Sequence, residues 1–141
     1  MDYREAYEKA LQLLNVRFLS EGELKAKLRR RGVGDDVLND VVAALEGEHF
    51  LDDQRLARDV YRYYARKGQY GHLYIVNRLR RRCLPVPEDV ERPDEYALAG
   101  NLVKRKFSYR ADEARKAARF LQYRGFSPSV IRDVLEDFTV H

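Results

Sequence analysis

The chain has 141 residues, of which 45% are hydrophobic and 35% are charged, and its net charge is +4. This length and apolar content suffice for one globular unit or for a few small repeats. The single cysteine excludes an internal disulfide, the charged N-terminus is unlike a signal peptide, and no apolar run approaches the ~18 residues of a membrane span. We therefore expect a soluble, cytoplasmic protein, and the mild basic excess gives weak support for an anionic partner.

Helical periodicity dominates the sequence, and no alternating apolar and polar run is long enough to predict a strand. The sequence therefore predicts an all-α fold of three tandem three-helix repeats. Their predicted bounds are 1–49, 50–93 and 94–141.

For the first repeat, the sequence predicts a helix over 2–18, a basic second helix that ends at Gly32, and an acidic third helix over about 35–46. Ser20 to Glu23 form a capping box, in which a hydroxyl and a carboxylate satisfy each other's end of the helix. The side chains predicted to face inward from the first helix are Tyr3, Tyr7, Leu11, Leu14 and Phe18.

The second repeat begins with Asp52 as helix cap and Asp53 at the positive end of the helix dipole. The inward face predicted for its two helices consists of Leu56, Val60, Tyr63 or Tyr64, then Leu73, Ile75, Val76 and Leu79 after the turn at Gly68 and Gly71. Because Pro85 and Pro87 interrupt the helical pattern that follows, we expect a shortened third helix, with at most one turn over 88–91.

The third repeat predicts a helix from about Asp94, a second helix over 111–124 and a last helix that Ser127 and Pro128 begin. The inward face of its first helix is predicted to consist of Tyr96, Leu98, Ala99, Leu102, Val103 and Phe107.

The second helices of all three repeats end in the pattern Leu-x-x-Arg-(Gly/Cys)-apolar, over residues 28–33, 79–84 and 121–126. A glycine in this position ends a helix in the left-handed conformation. Cys83 stands where the other repeats have Gly32 and Gly125, so it must adopt a positive φ or end the helix differently. We predict that Cys83→Gly leaves the stability unchanged or raises it.

No pattern in the sequence indicates catalysis or a cofactor. The candidate metal ligands His49, His72, His141 and Cys83 show no ligand spacing, and glycine-rich phosphate loops and nucleophile motifs are absent. Helix capping explains the Asp52-Asp53 pair more simply than acid–base chemistry does. We expect a protein that is not an enzyme and that needs neither metal nor cofactor.

Basic residues recur on the second helices and near the second repeat's turn, whereas the third helices of the first and last repeats are acidic. Solvation and the helix dipole explain one or two arginines per helix but not this segregation. Stacked in series, the second helices would form a discontinuous basic strip for an anionic or acidic partner. The candidate binding residues are Lys25, Lys27, Arg29, Arg30, Arg62, Arg66, Lys67, Arg78, Arg80, Arg81, Arg82, Arg115, Lys116 and Arg119.

Five tyrosines accompany the basic residues of the second repeat, namely Tyr61, Tyr63, Tyr64, Tyr70 and Tyr74. Aromatic rings among cations can stack on bases or anchor a protein interface. Because the chain has no tryptophan, we also expect at least two of the five to serve as core residues.

The signature Leu51, Asp52, Asp53, Arg55 and Ala57, the repeated helix ends and the closing run over 124–131 resemble the RecX family of RecA regulators. The resemblance spans nearly the whole chain. It implies an elongated, curved array of three-helix repeats, without enzymatic activity, that binds the RecA–DNA filament. It also implies inhibition of RecA ATPase, strand exchange and co-protease activity, hence roles in homologous recombination, DNA repair and the SOS response.

The partners expected from this reasoning are the RecA filament, single-stranded DNA and, weakly, duplex DNA, bound by a monomer. Three-helix units also form helix-turn-helix DNA readers, so a protein that acts directly on DNA without RecA is the alternative. A structural adaptor for another partner is a third possibility.

Overall fold

The computed structural model describes the backbone of residues 1–140 and the side chains of residues 1–138, and this part of the chain contains helices and no strand. His141, one of the residues predicted not to bind a metal, lies outside it. The helices are α1 (Tyr3–Val16), α2 (Glu21–Arg30), α3 (Asp35–Gly47), α4 (Asp53–Arg66), α5 (His72–Arg81), α6 (Glu95–Phe107), α7 (Ala114–Tyr123) and α8 (Pro128–Val140). The predicted all-α fold is confirmed.

The chain divides into two compact units. Unit 1 comprises Met1–Asp59 and Leu79–Pro87, and unit 2 comprises Val60–Arg78 and the residues from Glu88 onward. Helices α4 and α5 each contribute residues to both units. The division into repeats at 1–49, 50–93 and 94–141 stays a prediction.

The core of unit 1 is formed where α2 and α3 pack on small residues of α1. Leu24, Leu28, Leu38, Val41 and Leu45 are fully buried, and so are the α1 residues Ala6 and Ala10. The predicted inward position of Phe18 is wrong, since α1 ends at Val16 and the side chain of Phe18 is 77% exposed. Tyr3 is also exposed, whereas Tyr7, Leu11 and Leu14 are partly buried and pack against this core, as predicted.

The core of unit 2 consists of α6, α7 and α8 residues, namely Ala99, Val103, Phe107, Ala117, Leu121, Phe126, Val134 and Phe138. Tyr96 was predicted to face inward and is exposed. The predicted helix over 111–124 is two elements, a 3-10 turn over Ala111–Glu113 followed by α7.

The buried line of α4 differs by one position from the predicted one. Ala57 and Tyr61 are fully buried, whereas Leu56 and Val60 are half-buried and Tyr63 is exposed. On α5, Ile75, Val76 and Leu79 are buried as predicted, but Leu73 is exposed. Tyr61 reaches the core because its hydroxyl shares a 2.8 Å hydrogen bond with Nδ1 of His72, which satisfies its polar end.

The repeated Leu-x-x-Arg-(Gly/Cys)-apolar pattern has the same backbone geometry in all three places. Gly32, Cys83 and Gly125 have φ of 87°, 58° and 82°. In each copy the apolar residue's N–H donates to the carbonyl of the leucine five positions earlier, at 3.2, 2.9 and 3.2 Å. This is the Schellman ending that the sequence predicts, and Cys83 adopts the positive φ itself.

Helix starts pack against these helix ends within each unit. In unit 2, the N–H groups of Gly71 and Leu73 donate to the carbonyls of Arg124 and Gly125, at 2.7 and 3.2 Å, at the start of α5. In unit 1, Gly22 on the first turn of α2 lies so close to Cys83 that an added Cβ would be 2.7 Å from the cysteine Cβ. Glycine on at least one side of each contact permits this approach.

The segment between α5 and α6 contains no helix, and only bends occur over residues 88–90. The shortening predicted for the third helix of the second repeat is therefore complete. Asp94 caps α6 by accepting from the N–H of Ala97 at 3.2 Å. No helix within residues 1–140 has the length and apolarity required to cross a bilayer.

Candidate partner-binding surfaces

The five signature residues lie at or just before the start of α4. Two of them are buried, and two accept hydrogen bonds at helix starts. Leu51 and Ala57 are buried. Asp52 Oδ1 accepts from the N–H of Arg55 at 3.1 Å, as predicted for the α4 cap. Asp53 Oδ1 accepts from the N–H of Glu21 at 2.9 Å and thereby caps α2 across the unit. The signature thus holds two helix starts together, a role beyond the predicted favourable charge at the helix dipole.

Burial raises the pKa of the Asp53 carboxyl. Desolvation raises its pKa above the usual range, while the hydrogen bond from Glu21 N–H opposes the rise, and the nearby carboxylates of Glu21, Asp52 and Glu23 reinforce it. Because this carboxyl already accepts a backbone N–H, its position between two helix starts accounts for the shift without a catalytic role.

The α2 cations of unit 1 are partly engaged with acids. Lys25 Nζ lies 2.8 Å from Glu21, and Arg29 Nε lies 3.3 Å from Asp35. Lys27 and Arg30 make no ion pair in the part of the chain that the structure describes. The Arg29–Asp35 pair is exposed and exchanges readily for an external anion, and Arg30 is exposed, whereas Lys25 and Lys27 are half-buried.

The three arginines at the end of α5 differ in their surroundings. Arg80 and Arg81 are exposed and form no ion pair within the described residues. Arg82 donates to the two oxygens of Glu23 at 3.3 and 3.1 Å and to the carbonyl of Phe18 at 2.8 Å. Arg82 therefore ties α5 to α2 inside unit 1, a contact that its place in the basic run does not reveal.

The contact with Arg82 affects the pKa of the Glu23 carboxyl. Desolvation alone would raise its pKa, but hydrogen bonds from Arg82 and from the N–H of Ser20, with the charges of Arg82 and Arg17, outweigh it and lower the pKa. The ionised form is thus favoured in the folded protein.

A tyrosine–cation cluster, defined here as Tyr63, Tyr64, Lys67, Tyr70, Tyr74 and Arg78, lies at the turn between α4 and α5. Tyr70 and Tyr74 stack with ring centroids 3.9 Å apart, and Tyr64 meets both edge-on. Arg78 donates to the Tyr74 hydroxyl at 2.8 Å and lies over that ring. Lys67 lies over the ring of Tyr63, which is 53% exposed. Among the five tyrosines, Tyr61 is fully buried and Tyr64, Tyr70 and Tyr74 are half-buried.

The remaining predicted cations of unit 2 are exposed. They are Arg62 and Arg66 on α4 and Arg115, Lys116 and Arg119 on α7. Arg66 Nε donates to the carbonyl of Arg62 at 3.2 Å, which fixes its side chain along the helix. None of the five forms an ion pair in the described part of the chain, so their charges are available to a partner.

Three further cations of unit 2 are not among the binding residues predicted from the sequence, namely Arg105, Lys106 and Arg124. The structure brings them together with Lys67 on the walls of one cleft, where Lys106 and Arg124 lie over the ring of Phe120. The signal was present as the basic run over 104–106 at the end of α6. It was missed because the selection concentrated on the second helix of each repeat.

These surfaces consist of cationic and aromatic side chains. Within the described residues, no group of three or more His, Cys, Asp or Glu side chains is arranged to hold a metal ion. His72, the hydrogen-bond partner of Tyr61, has a pKa lowered by burial and by the charge of Arg92. That direction keeps the imidazole neutral in its place beside the core.

Two family models match the chain. One describes the first three-helix domain of RecX and matches residues 6–45. The other describes the third three-helix domain of RecX and matches residues 93–135. The bounds of each match lie within two helical turns of the bounds predicted for the first or the third repeat.

Curated relatives are similar over almost the whole chain. A regulatory protein RecX of Vibrio cholerae is 32% identical over 96% of this chain and 94% of its own length. One from Pelodictyon phaeoclathratiforme is 31% identical over 89% of this chain and 84% of its own. One from Geobacillus kaustophilus is 29% identical, and there the chain spans 56% of the relative's length.

Two solved structures share the fold. The crystal structure of RecX from Lactobacillus salivarius superimposes with a TM-score of 0.83 at 18% identity and covers 99% of this chain and 98% of that one. A second structure, of a regulatory protein RecX, gives a TM-score of 0.76 at 20% identity, covering 95% of this chain and 73% of that one. At these identities the likeness concerns the fold alone.

Proposed function

This chain belongs to the RecX family, and we propose that it is a regulatory protein that binds the RecA filament on single-stranded DNA and inhibits it. The activities proposed to fall are ATP hydrolysis, strand exchange and co-protease activity. The proposal places the protein in the cytoplasm, acting in recombination, DNA repair and the SOS response without an enzymatic activity of its own.

The observation that carries the proposal is the similarity to the Vibrio cholerae regulatory protein over 94% of that protein's length. A relationship of this extent spans both units of the chain, which supports a shared regulatory role. The charge distribution is compatible with it, because both units present exposed cations without acidic partners, Arg80 and Arg81 in unit 1 and Arg115 and Lys116 in unit 2.

The proposed mechanism follows from these charges. Cations at the ends of the second helices contact acidic surface or DNA phosphate along the filament, and such contacts weaken as salt rises. A chain bound across neighbouring RecA subunits would hinder filament extension or the closure between subunits. Either effect lowers ATP hydrolysis without chemistry by the bound protein.

The direct test is ATP hydrolysis by the cognate RecA on excess single-stranded DNA, with this protein added at substoichiometric amounts. Progressive inhibition well below one copy per RecA supports action on filament growth, and inhibition that needs near-equal amounts supports occupancy along the filament. Absence of inhibition, with tight binding to naked duplex, would contradict the proposal and favour the helix-turn-helix alternative.

A pair of charge-reversed variants tests the surface. Arg80→Glu with Arg81→Glu should raise the concentration needed for half-inhibition about tenfold, as expected from losing two exposed ion pairs. The matched control is Arg4→Glu with Lys9→Glu, which changes the net charge equally on α1. Arg82 is left intact, since a glutamate there would face Glu23 and disturb unit 1. Equal effects of the two double variants would refute a role for the α5 end.

A further inference from the structure

Unit 2 contains an open cleft of about 370 Å³ with four cationic side chains on its walls. They are Lys67 after α4, Arg105 and Lys106 on α6, and Arg124 after α7. Phe120 and Gln69 are among the other residues that line it. We refer to it as the four-cation cleft.

The positive charge of the four-cation cleft is not neutralised inside the protein. No carboxylate lines the cleft, and none of its four cations forms an ion pair with any described residue. The chain carries 23 acidic residues in all, so their absence here is a local property. Like charges gathered in this way repel one another, and a bound anion would relieve that repulsion.

Aromatic and amide groups hold two of these cations, Lys106 and Arg124, in position instead. Lys106 Nζ lies 4.5 Å from the centre of the Phe120 ring, and the Arg124 guanidinium carbon lies 4.9 Å from the same centre. Arg124 also lies 5.5 Å from the centre of the Tyr70 ring and donates to Gln69 Oε1 at 3.0 Å. Contacts of this kind orient a cation and leave its charge in place, so the site is organised before a ligand arrives.

The chemistry of the walls fits phosphate. A guanidinium offers a fork of N–H donors that matches phosphate oxygens, and lysine adds point charges. Exposed rings accompany the cations along the chain: Tyr63 precedes Lys67 by one helical turn, and Tyr123, 85% exposed, precedes Arg124. Bases of a single strand stack on such rings, whereas an acidic peptide makes no comparable use of them. A flexible single strand can also turn one phosphate into the cleft.

We propose that the four-cation cleft binds the phosphodiester backbone of a single nucleic-acid strand, with the exposed ring of Tyr63, which Lys67 contacts, available for base stacking. The site lies outside the α5 surface tested above and binds without RecA. Its failure would leave filament inhibition intact, and failure of filament inhibition would leave this binding intact.

The test measures fluorescence anisotropy of a labelled 20-residue oligothymidylate with the whole protein across a salt series. Arg105→Glu is the informative variant, because Arg105 lines the cleft, is exposed and forms no hydrogen bond or ion pair with any described side chain. The matched control is Lys104→Glu, its exposed neighbour on the same last turn of α6, which does not line the cleft. Both carry the same charge change at the same helix end. Far-ultraviolet circular dichroism checks that both variants fold.

Arg105→Glu should weaken oligothymidylate binding several-fold and lower the slope of log K against log salt by about 0.7, the value for one single-strand phosphate contact. Lys104→Glu should leave the slope unchanged. Equal losses in both variants would reduce the effect to general surface charge and overturn the assignment.

Three other results would also overturn the proposal. They are undetectable oligothymidylate binding at low salt, equal or tighter binding of a 20-base-pair duplex, and equal competition by polyglutamate of matched charge. The last result would assign the cleft to an acidic protein segment instead.

Discussion

The substitution Gly125→Ala tests the contact in unit 2 between the end of α7 and the start of α5. Gly125 has a φ of 82°, and a Cβ built on it would lie 2.2 Å from the backbone nitrogen of Tyr74 and 2.7 Å from its Cα. The substitution thus adds two costs, an alanine in the left-handed region and a methyl group driven into the first turn of α5. Because the obstructing atoms are backbone, α5 itself has to move.

The size of the second cost can be isolated, because the same repeat position occurs in unit 1. Gly32 has a φ of 87°, but nothing lies within 4 Å of a Cβ added there. Gly32→Ala should therefore cost only the left-handed conformation, about 1 kcal/mol. Gly125→Ala should cost that amount and a further 1–3 kcal/mol or so for overpacking.

The assay is urea unfolding followed by circular dichroism at 222 nm, with hydrogen exchange to locate the loosened region. Gly125→Ala should lower the free energy of unfolding more than Gly32→Ala does, and the faster-exchanging amides should lie at the start of α5. Equal destabilisation by the two variants would show that conformation alone matters and that the α5–α7 contact is looser than the structure has it.

The other predictions concern unit 1. Cys83→Gly should leave the melting temperature unchanged or raise it, since relief of the positive φ offsets the added freedom of the unfolded chain. Gly22→Ala should destabilise the natural chain, where its Cβ would meet that of Cys83, but not the Cys83→Gly chain, so a double-mutant cycle with additive effects would refute the contact. Arg82→Ala should cost about 1 kcal/mol, because Glu23 is left partly buried without its partner, whereas Arg81→Ala should be near neutral in the same urea titration. The lowered pKa of Glu23 stabilises the fold above the unfolded pKa near 4.5 and loses that effect as pH falls, so Arg82→Ala should flatten the acid limb of stability against pH.

Local rules predicted the helix boundaries well, because capping depends on a few adjacent residues. The capping box at Ser20 and Glu23 and the caps at Asp52 and Ser127 are all formed. The Schellman endings are formed in all three repeats, including the one where cysteine replaces glycine. Each of these features involves residues within six positions of one another.

The burial of particular side chains was harder to predict, since it depends on which face of a helix meets a neighbour. The spacing of the large residues predicts an α1 face that includes Phe18, yet the fully buried residues of α1 are Ala6 and Ala10, with Tyr7, Leu11 and Leu14 partly buried beside them. Small residues allow two helices to approach each other closely. Periodicity alone does not distinguish a helix face whose large side chains fill the core from one whose small side chains allow this close approach. The one-residue shift on α4, from Val60 to Tyr61, has a related cause, because His72 supplies the hydrogen bond that lets the tyrosine hydroxyl enter the core.

The arginine of the repeated pattern shows why the binding residues could not be read from the sequence in the same way. The backbone around Arg31, Arg82 and Arg124 is alike, since each lies one residue before the positive-φ position. Their side chains have three different partners. Arg31 donates to the carbonyl of Lys27, Arg82 pairs with Glu23, and Arg124 lies between the rings of Tyr70 and Phe120. For Arg82 and Arg124 the deciding partner lies more than fifty residues away in the sequence, at Glu23 and Tyr70, where no local pattern reveals it. The same backbone geometry therefore presents a surface charge, a structural ion pair and a wall of the four-cation cleft.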